Sequence, residues 1–365
     1  MPETPYSPIF ELTRGETVES IHNGAVAVVD VAGNLIAWYD DPDAVTFLRS
    51  TAKPFQALPF ITQGGQAYFN LTPREVALIC ASHAGTDEHV AVAQSIQRKA
   101  GVAEADLMCG VHYPYHEATA ASLRERKELP TPNRHNCSGK HTGMLAFVRM
   151  EEQEGLMGEA GANGAESLPY IDPHHPIQQE ILQTFAEMCD LPVEEVALGT
   201  DGCSAPNFAV PLRNAALAYA RLCDPEMGGV VPEDRAAACH TITSAMIFNP
   251  DMISGPGGFD TRLMEIGQGR ILSKGGAEGY QGIGLMPGAL ESESPAIGIT
   301  LKIGDGDARQ KVRHAVALEV LRQLGALDDA ELLLLSEFGP VFPVENWRKV
   351  LVGEGRPTFQ LHFKD

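Results

Sequence analysis

Residues that favour strands collect at the two ends of this 365-residue chain and helical periodicity fills the stretch between, an arrangement that restricts the fold more than any other feature. Ile9 to Thr13 alternates apolar and polar side chains. Two β-rich runs, Ala25 to Val31 and Leu35 to Tyr39, then flank Ala32-Gly33-Asn34 and read as a hairpin. In the last third, Ile271 to Lys274, Gly282 to Met286 and Ala296 to Ile303 read as strands, followed by an amphipathic helix from Asp307 to Leu324 and a closing strand near Thr358 to His362. Between these ends a helix is expected to begin near Ser50 or Thr51 with Pro54 in its first turn. Further helices are expected at Pro73 to Cys80, Thr86 to Ala100, Glu117 to Glu128, Lys140 to Arg149, Pro176 to Cys189, Ala205 to Leu222 and Glu233 to Phe248. The pattern implies an α/β protein whose sheet is assembled from both termini, over about 1–50 and 256–365, around a mainly helical region, 51–255. Residues 151–169 turn to Glu, Gly and Ala and read as an exposed insertion. No fixed period is present, which argues against solenoids and propellers.

Charge narrows the partners. A formal net charge of -21 opposes binding to nucleic-acid phosphates and to anionic lipid, so a small molecule is the better substrate class. Met1 to Phe10 has no basic stretch followed by an apolar one, and no apolar run reaches membrane-spanning length, which makes a cytoplasmic location the expectation. The seven cysteines are odd in number and scattered, unlike a secreted disulfide framework.

Ser50-Thr51-Ala52-Lys53 places a hydroxyl and an amine three residues apart, on one face if the segment is helical. Serine needs such a neighbour, because a lysine kept uncharged can take its proton as an acyl bond forms. His135-Asn136-Cys137-Ser138-Gly139-Lys140-His141 concentrates a thiol, an amine and two imidazoles at the mouth of a helix. A second thiol occurs in the turn-rich Thr200-Asp201-Gly202-Cys203-Ser204-Ala205-Pro206. Two cysteinates with a nitrogen donor suit zinc, and the alternative is two buried cysteines beside a capping cluster. Ala81-Ser82-His83-Ala84-Gly85-Thr86-Asp87 ends an apolar helix in a polar turn, and Ser273-Lys274-Gly275-Gly276 ends a strand in glycine, where backbone can approach a ligand closely. Taken singly, Ser82 reads as a cap and Lys274 as a solvated strand-end charge.

With these strings in place, the sequence resembles the rhizobial-type L-asparaginases, the asparaginase II or class 3 family, from about Pro8 to the C-terminal strand. The resemblance implies a fold similar to serine β-lactamases and glutaminases, a homodimer, and a single catalytic unit over 1–365. It also implies two Ser/Lys tandems, Ser50 with Lys53 and Ser82 with Lys274, beside a zinc site of Cys137, Lys140 and Cys203, with Arg49, His141 and Asp201 lining the substrate site. By that resemblance the substrate is L-asparagine, which serine attack converts to L-aspartate and ammonia. No SDN tripeptide is present and Lys274-Gly275-Gly276 stands where lactam-recognising enzymes have KTG, so a penicillin substrate is disfavoured. Two rival readings remain: a glutaminase or other small-amide hydrolase on the same scaffold, and a zinc protein in which Cys137 and Cys203 tie helices together without turnover.

Overall fold

The computed structural model describes residues 6–155, 168–308 and 311–364. The chain divides into two compact units, one made of Met1–Thr51, Ala209–Gly229 and Arg262–Asp365, the other of Ala52–Phe208 and Val230–Thr261.

The first unit is built on an antiparallel sheet. Its order runs Phe342–Glu345, Leu351–Pro357, Ser7–Arg14, Thr17–Asp30, Ile297–Ile303, Tyr280–Leu285, Ile271–Gly275, and Leu35–Tyr39 pairs with both Thr17–Asp30 and His362–Phe363. N- and C-terminal strands therefore interleave, with Val26 opposite Leu301 at the seam. Ile271–Gly275, Tyr280–Leu285 and Ile297–Ile303 are buried along their whole length, which explains why their sequences show no polar alternation. Helix Leu212–Cys223 lies on these strands. A Cβ on Gly298 would fall 1.7 Å from the Ala216 carbonyl oxygen and one on Gly282 would fall 2.4 Å from the Tyr219 ring, so the sheet accepts the helix only where side chains are missing.

This packing corrects three sequence expectations. The helix expected at Ala205 to Leu222 is a strand, Pro206–Pro211, followed by a helix, Leu212–Cys223, and residues 209–229 belong with the sheet rather than with the helical region. The β-branched and aromatic content of Pro206–Pro211 pairs with Val45–Phe47, a long-range partner that local periodicity does not reveal. At the C-terminus the strands are Leu351–Pro357 and His362–Phe363, and the expected run from Thr358 is instead a connection in which Phe359 and Leu361 are buried. The expected helix from Asp307 is regular only over Val312–Gln323.

In the second unit, helix Lys53–Thr62 is the centre: every residue from Lys53 to Ile61 is buried, against helices Ser138–Glu154, Pro176–Met188 and Glu233–Phe248. Helix Pro73–Ile79 starts with a Thr72/Glu75 capping box and Asp87–Ala100 is capped by Thr86. Helix Ser138–Glu154 approaches Pro73–Ile79 closely enough that a Cβ on Gly139 would sit 2.1 Å from the Leu78 carbonyl oxygen and one on Gly143 would sit 2.5 Å from Ile79 Cγ2. Of the expected insertion, residues through Glu154 continue this helix and 156–167 lie outside the described residues.

Candidate active site

Within the helical unit the sequence-predicted residues converge on two buried lysines. Lys53, at the first turn of its helix, is 1% exposed. Its Nζ donates to the Ala81 carbonyl at 2.5 Å, lies 2.9 Å from Ser82 Oγ, and reaches the Asn136 carbonyl at a long 3.4 Å. Three acceptors match the three N–H bonds of an ammonium; equally, two carbonyls take the two N–H bonds of an uncharged amine and leave its lone pair for the Ser82 hydroxyl. The site thus holds either protonation state without leaving a buried polar group unsatisfied. Ser82 is fixed from behind, since its N–H donates to Ile253 O at 3.0 Å. It is a partner of Lys53 rather than a helix cap.

Lys140, one turn into helix Ser138–Glu154, sits against two cysteine sulfurs and a carboxyl group. Its Nζ donates to Cys203 Sγ at 3.0 Å, and Cys203 Sγ lies 3.5 Å from Asp201 Oδ2. Burial opposes its charge, but Cys203, Cys137 and Asp201 outweigh burial and hold its pKa above the ordinary lysine value. A hydrogen bond with Cys203 holds the Cys137 thiol well below the usual thiol range against the cost of burial, with Lys53 and Lys140 assisting; the same bond and burial push Cys203 up. Burial brings His141 down to about 4. Its Nδ1 is 2.7 Å from Tyr170 Oη, which itself accepts from Met108 N, while its Nε2 is buried with no partner of good hydrogen-bond geometry among the described residues.

The other predicted residues belong to the sheet unit. Arg49 opens the short turn Arg49–Ala52 at φ 53, and Ser50 follows in that turn rather than in the α-helix, which starts at Lys53. Thr51 fixes the turn by donating N–H and Oγ1–H to Leu48 O at 3.2 and 2.8 Å, and Tyr219 Oη donates to Thr51 O at 2.8 Å. Lys274 is 0% exposed, not a solvated strand end, and its Nζ donates to Gly275 O at 2.7 Å. A Cβ on Gly276 would lie 2.6 Å from Leu48 O, so the Lys274-Gly275-Gly276 strand end runs directly against the turn that carries Ser50. Arg49 Nη1 is 3.8 Å from Glu278 Oε1.

The L-asparaginase II family model matches residues 10–357, nearly the whole chain. The chain belongs to the L-asparaginase II family. No curated protein matches the sequence at a significant level. Among solved structures, the chain is similar to the Bacillus subtilis glutaminase YbgJ in covalent complex with 5-oxo-L-norleucine, at 12% identity, TM-score 0.33, covering 78% of this chain and 81% of that one. It is also similar to Mglu in its native form, at 16% identity, TM-score 0.36, covering 84% and 62%.

For an L-asparaginase II chain the thiol cluster can be tested against a metal by its donors. Cys137 Sγ, a carboxylate oxygen of Asp201 and Cys203 Sγ lie within 4.8 Å of one another, and two soft sulfurs with one oxygen suit a borderline cation such as zinc. Asp201, expected from the resemblance to line the substrate site, thus stands among the candidate metal donors. Lys140 fits only after losing the proton that the same three groups hold on it. Asn136 O, His83, Ser138 and Tyr170 escaped the sequence reading. A backbone carbonyl leaves no sequence signal; His83 and Ser138 did stand inside the two strings already singled out. Among the described residues no helix is long and apolar enough to cross a membrane.

Proposed function

We propose that the protein is an L-asparagine amidohydrolase in which a lysine-activated serine forms an acyl-enzyme. The observation that carries the reading is the buried Lys53 Nζ, 2.9 Å from a serine hydroxyl and ringed otherwise by carbonyl oxygens, in a chain of the L-asparaginase II family. Lys53 in its uncharged form takes the proton of Ser50, whose oxygen attacks the side-chain amide; the proton passes to the leaving nitrogen, ammonia departs, and water cleaves the aspartyl ester to restore serine. Ser82 and Lys274 relay protons in this scheme. Arg49 pairs with the substrate α-carboxylate, and His141 and Asp201 contact its polar groups, the charge-assisted contacts a free amino acid requires. Cys137 and Cys203, with Lys140 or Asp201, would hold zinc, which when bound supplies a positive Lewis-acidic centre beside the substrate site. The enzyme is proposed to act as a homodimer in the cytoplasm.

The Ser82 contact with Lys53 favours a second reading in which Ser82 attacks first. Ammonia release from asparagine and glutamine by wild type, Ser50→Ala and Ser82→Ala, each checked for folding, decides both points. Loss of ammonia release in Ser50→Ala alone supports Ser50 as nucleophile. Full activity there moves the role to Ser82, and glutamine turnover equal to asparagine turnover replaces the substrate assignment.

A further inference from the structure

Lys53 is bracketed by two chain segments. One supplies Ala81 O and Ser82 Oγ, the other Asn136 O. One residue beyond Ser82 and two beyond Asn136, the same segments are joined side chain to side chain: His83 Nε2 lies 2.9 Å from Ser138 Oγ. The proton positions follow from the surrounding bonds. His83 Nδ1 accepts from Gly85 N at 3.1 Å, so the ring hydrogen is on Nε2 and donates to Ser138; the Ser138 hydroxyl in turn donates to Asn133 O at 3.0 Å. Both side chains are 0% exposed, so water does not compete for this chain of bonds. Ser138 is also the first residue of the helix that carries Lys140, directly after Cys137.

We propose that the His83–Ser138 hydrogen bond is the tie that sets the gap between the two segments bracketing Lys53, which makes His83 and Ser138 positioning residues for the serine–lysine chemistry. The role rests on the proposed amidohydrolase reading. Neither residue touches the reacting atoms; each acts by keeping Ser82 Oγ and Asn136 O at their places around the amine. An isolated break widens the bracket and displaces Lys53 by a fraction of an ångström to an ångström, and misplacement on that scale costs on the order of 100-fold in rate without removing a binding contact.

The test compares Ser138→Ala with Ser138→Thr and His83→Gln, the last two of which keep a hydroxyl or an amide N–H for the tie. Turnover is measured together with the accessibility of Lys53 to an amine-acylating reagent, read by peptide mass spectrometry. Expected in Ser138→Ala are a kcat lower by about 10- to 100-fold, KM within about threefold, a single cooperative unfolding transition whose midpoint is lowered because His83 Nε2 and Asn133 O lose a buried partner, and acylation of Lys53 under conditions where the variant is fully folded and wild type is protected; Ser138→Thr and His83→Gln recover kcat to within about threefold. Wild-type kcat and wild-type protection in Ser138→Ala overturn the tie. So do equal losses in Ser138→Ala and Ser138→Thr, or global unfolding of Ser138→Ala, because either shows a merely structural site. If wild type itself releases no ammonia from any amide, the amidohydrolase reading fails, and Lys53 labelling alone still decides whether the tie exists.

Discussion

Two lysines buried in the same helical unit are treated by the fold in opposite ways. Among the described residues Lys53 hydrogen-bonds to uncharged groups, two carbonyls and a hydroxyl, while Lys140 hydrogen-bonds to Cys203 and also faces Cys137 and Asp201. The contrast teaches that burial alone does not make a lysine a base. What differs is the second set of atoms: oxygens that accept a hydrogen bond whichever way the proton goes, against sulfurs and a carboxylate that bind the proton in place. The first arrangement suits proton exchange with serine. The second suits holding a charged cluster, or a metal, together.

The largest effect should come from Lys53→Met, which removes the base: ammonia release is expected to fall by about 100- to 10,000-fold while the protein remains folded by circular dichroism. A folded, active Lys53→Met would erase the comparison. Lys140→Met should do the reverse, costing about 3 kcal/mol in urea unfolding, because it removes the cation that faces Cys203, Cys137 and the Asp201 carboxylate in a buried cluster. If stability is unchanged and only kcat falls, the two lysines have been assigned to the wrong sides. Saturating zinc should add about 2.7 kcal/mol at a hundredfold excess over its dissociation constant, and Cys203→Ser should remove that gain along with bound metal in elemental analysis. Gly139→Ala should cost about 1–3 kcal/mol, since the new methyl meets the Leu78 carbonyl and moves the Lys140 helix off its neighbour; a neutral result would show the close approach to be unnecessary.

The smallest effect is on pH dependence. Burial lowers the His89 pKa, only partly offset by the Asp251 carbonyl. An unfolded histidine, titrating near about 6.5, takes up its proton before the folded one does. The contribution is therefore intact above that pH and is lost as pH falls from there towards the folded value. His89→Gln should flatten that part of the stability–pH curve, and an unchanged slope would place the acid sensitivity elsewhere.

Much of the local structure was legible in the chain. The Ala25 to Tyr39 hairpin forms with Ala27 opposite Trp38, and the helix after Pro54, the Pro73 and Thr86 helix starts and the Glu233 helix all follow from caps, prolines and apolar spacing. The strings around Ser50, Ser82, Cys137, Cys203 and Lys274 were visible because unusual residue types stand close together in each. The strand inside the expected Ala205 to Leu222 helix was not, since its partner is Val45–Phe47. Nor was the pairing of Lys53 with Ser82, which spans 29 positions and is made by a turn packing against Ile253.

By itself, then, the sequence determined most of the element types, the contribution of both termini to one sheet, and the inventory of reactive side chains, because these depend on near neighbours and on composition. Which lysine meets oxygen and which meets sulfur was decided only in the tertiary structure. That choice rests on backbone carbonyls such as Ala81 O and Asn136 O, and on helix spacing set at Gly139 and Gly143. A carbonyl is common to every residue, so only the fold can aim one.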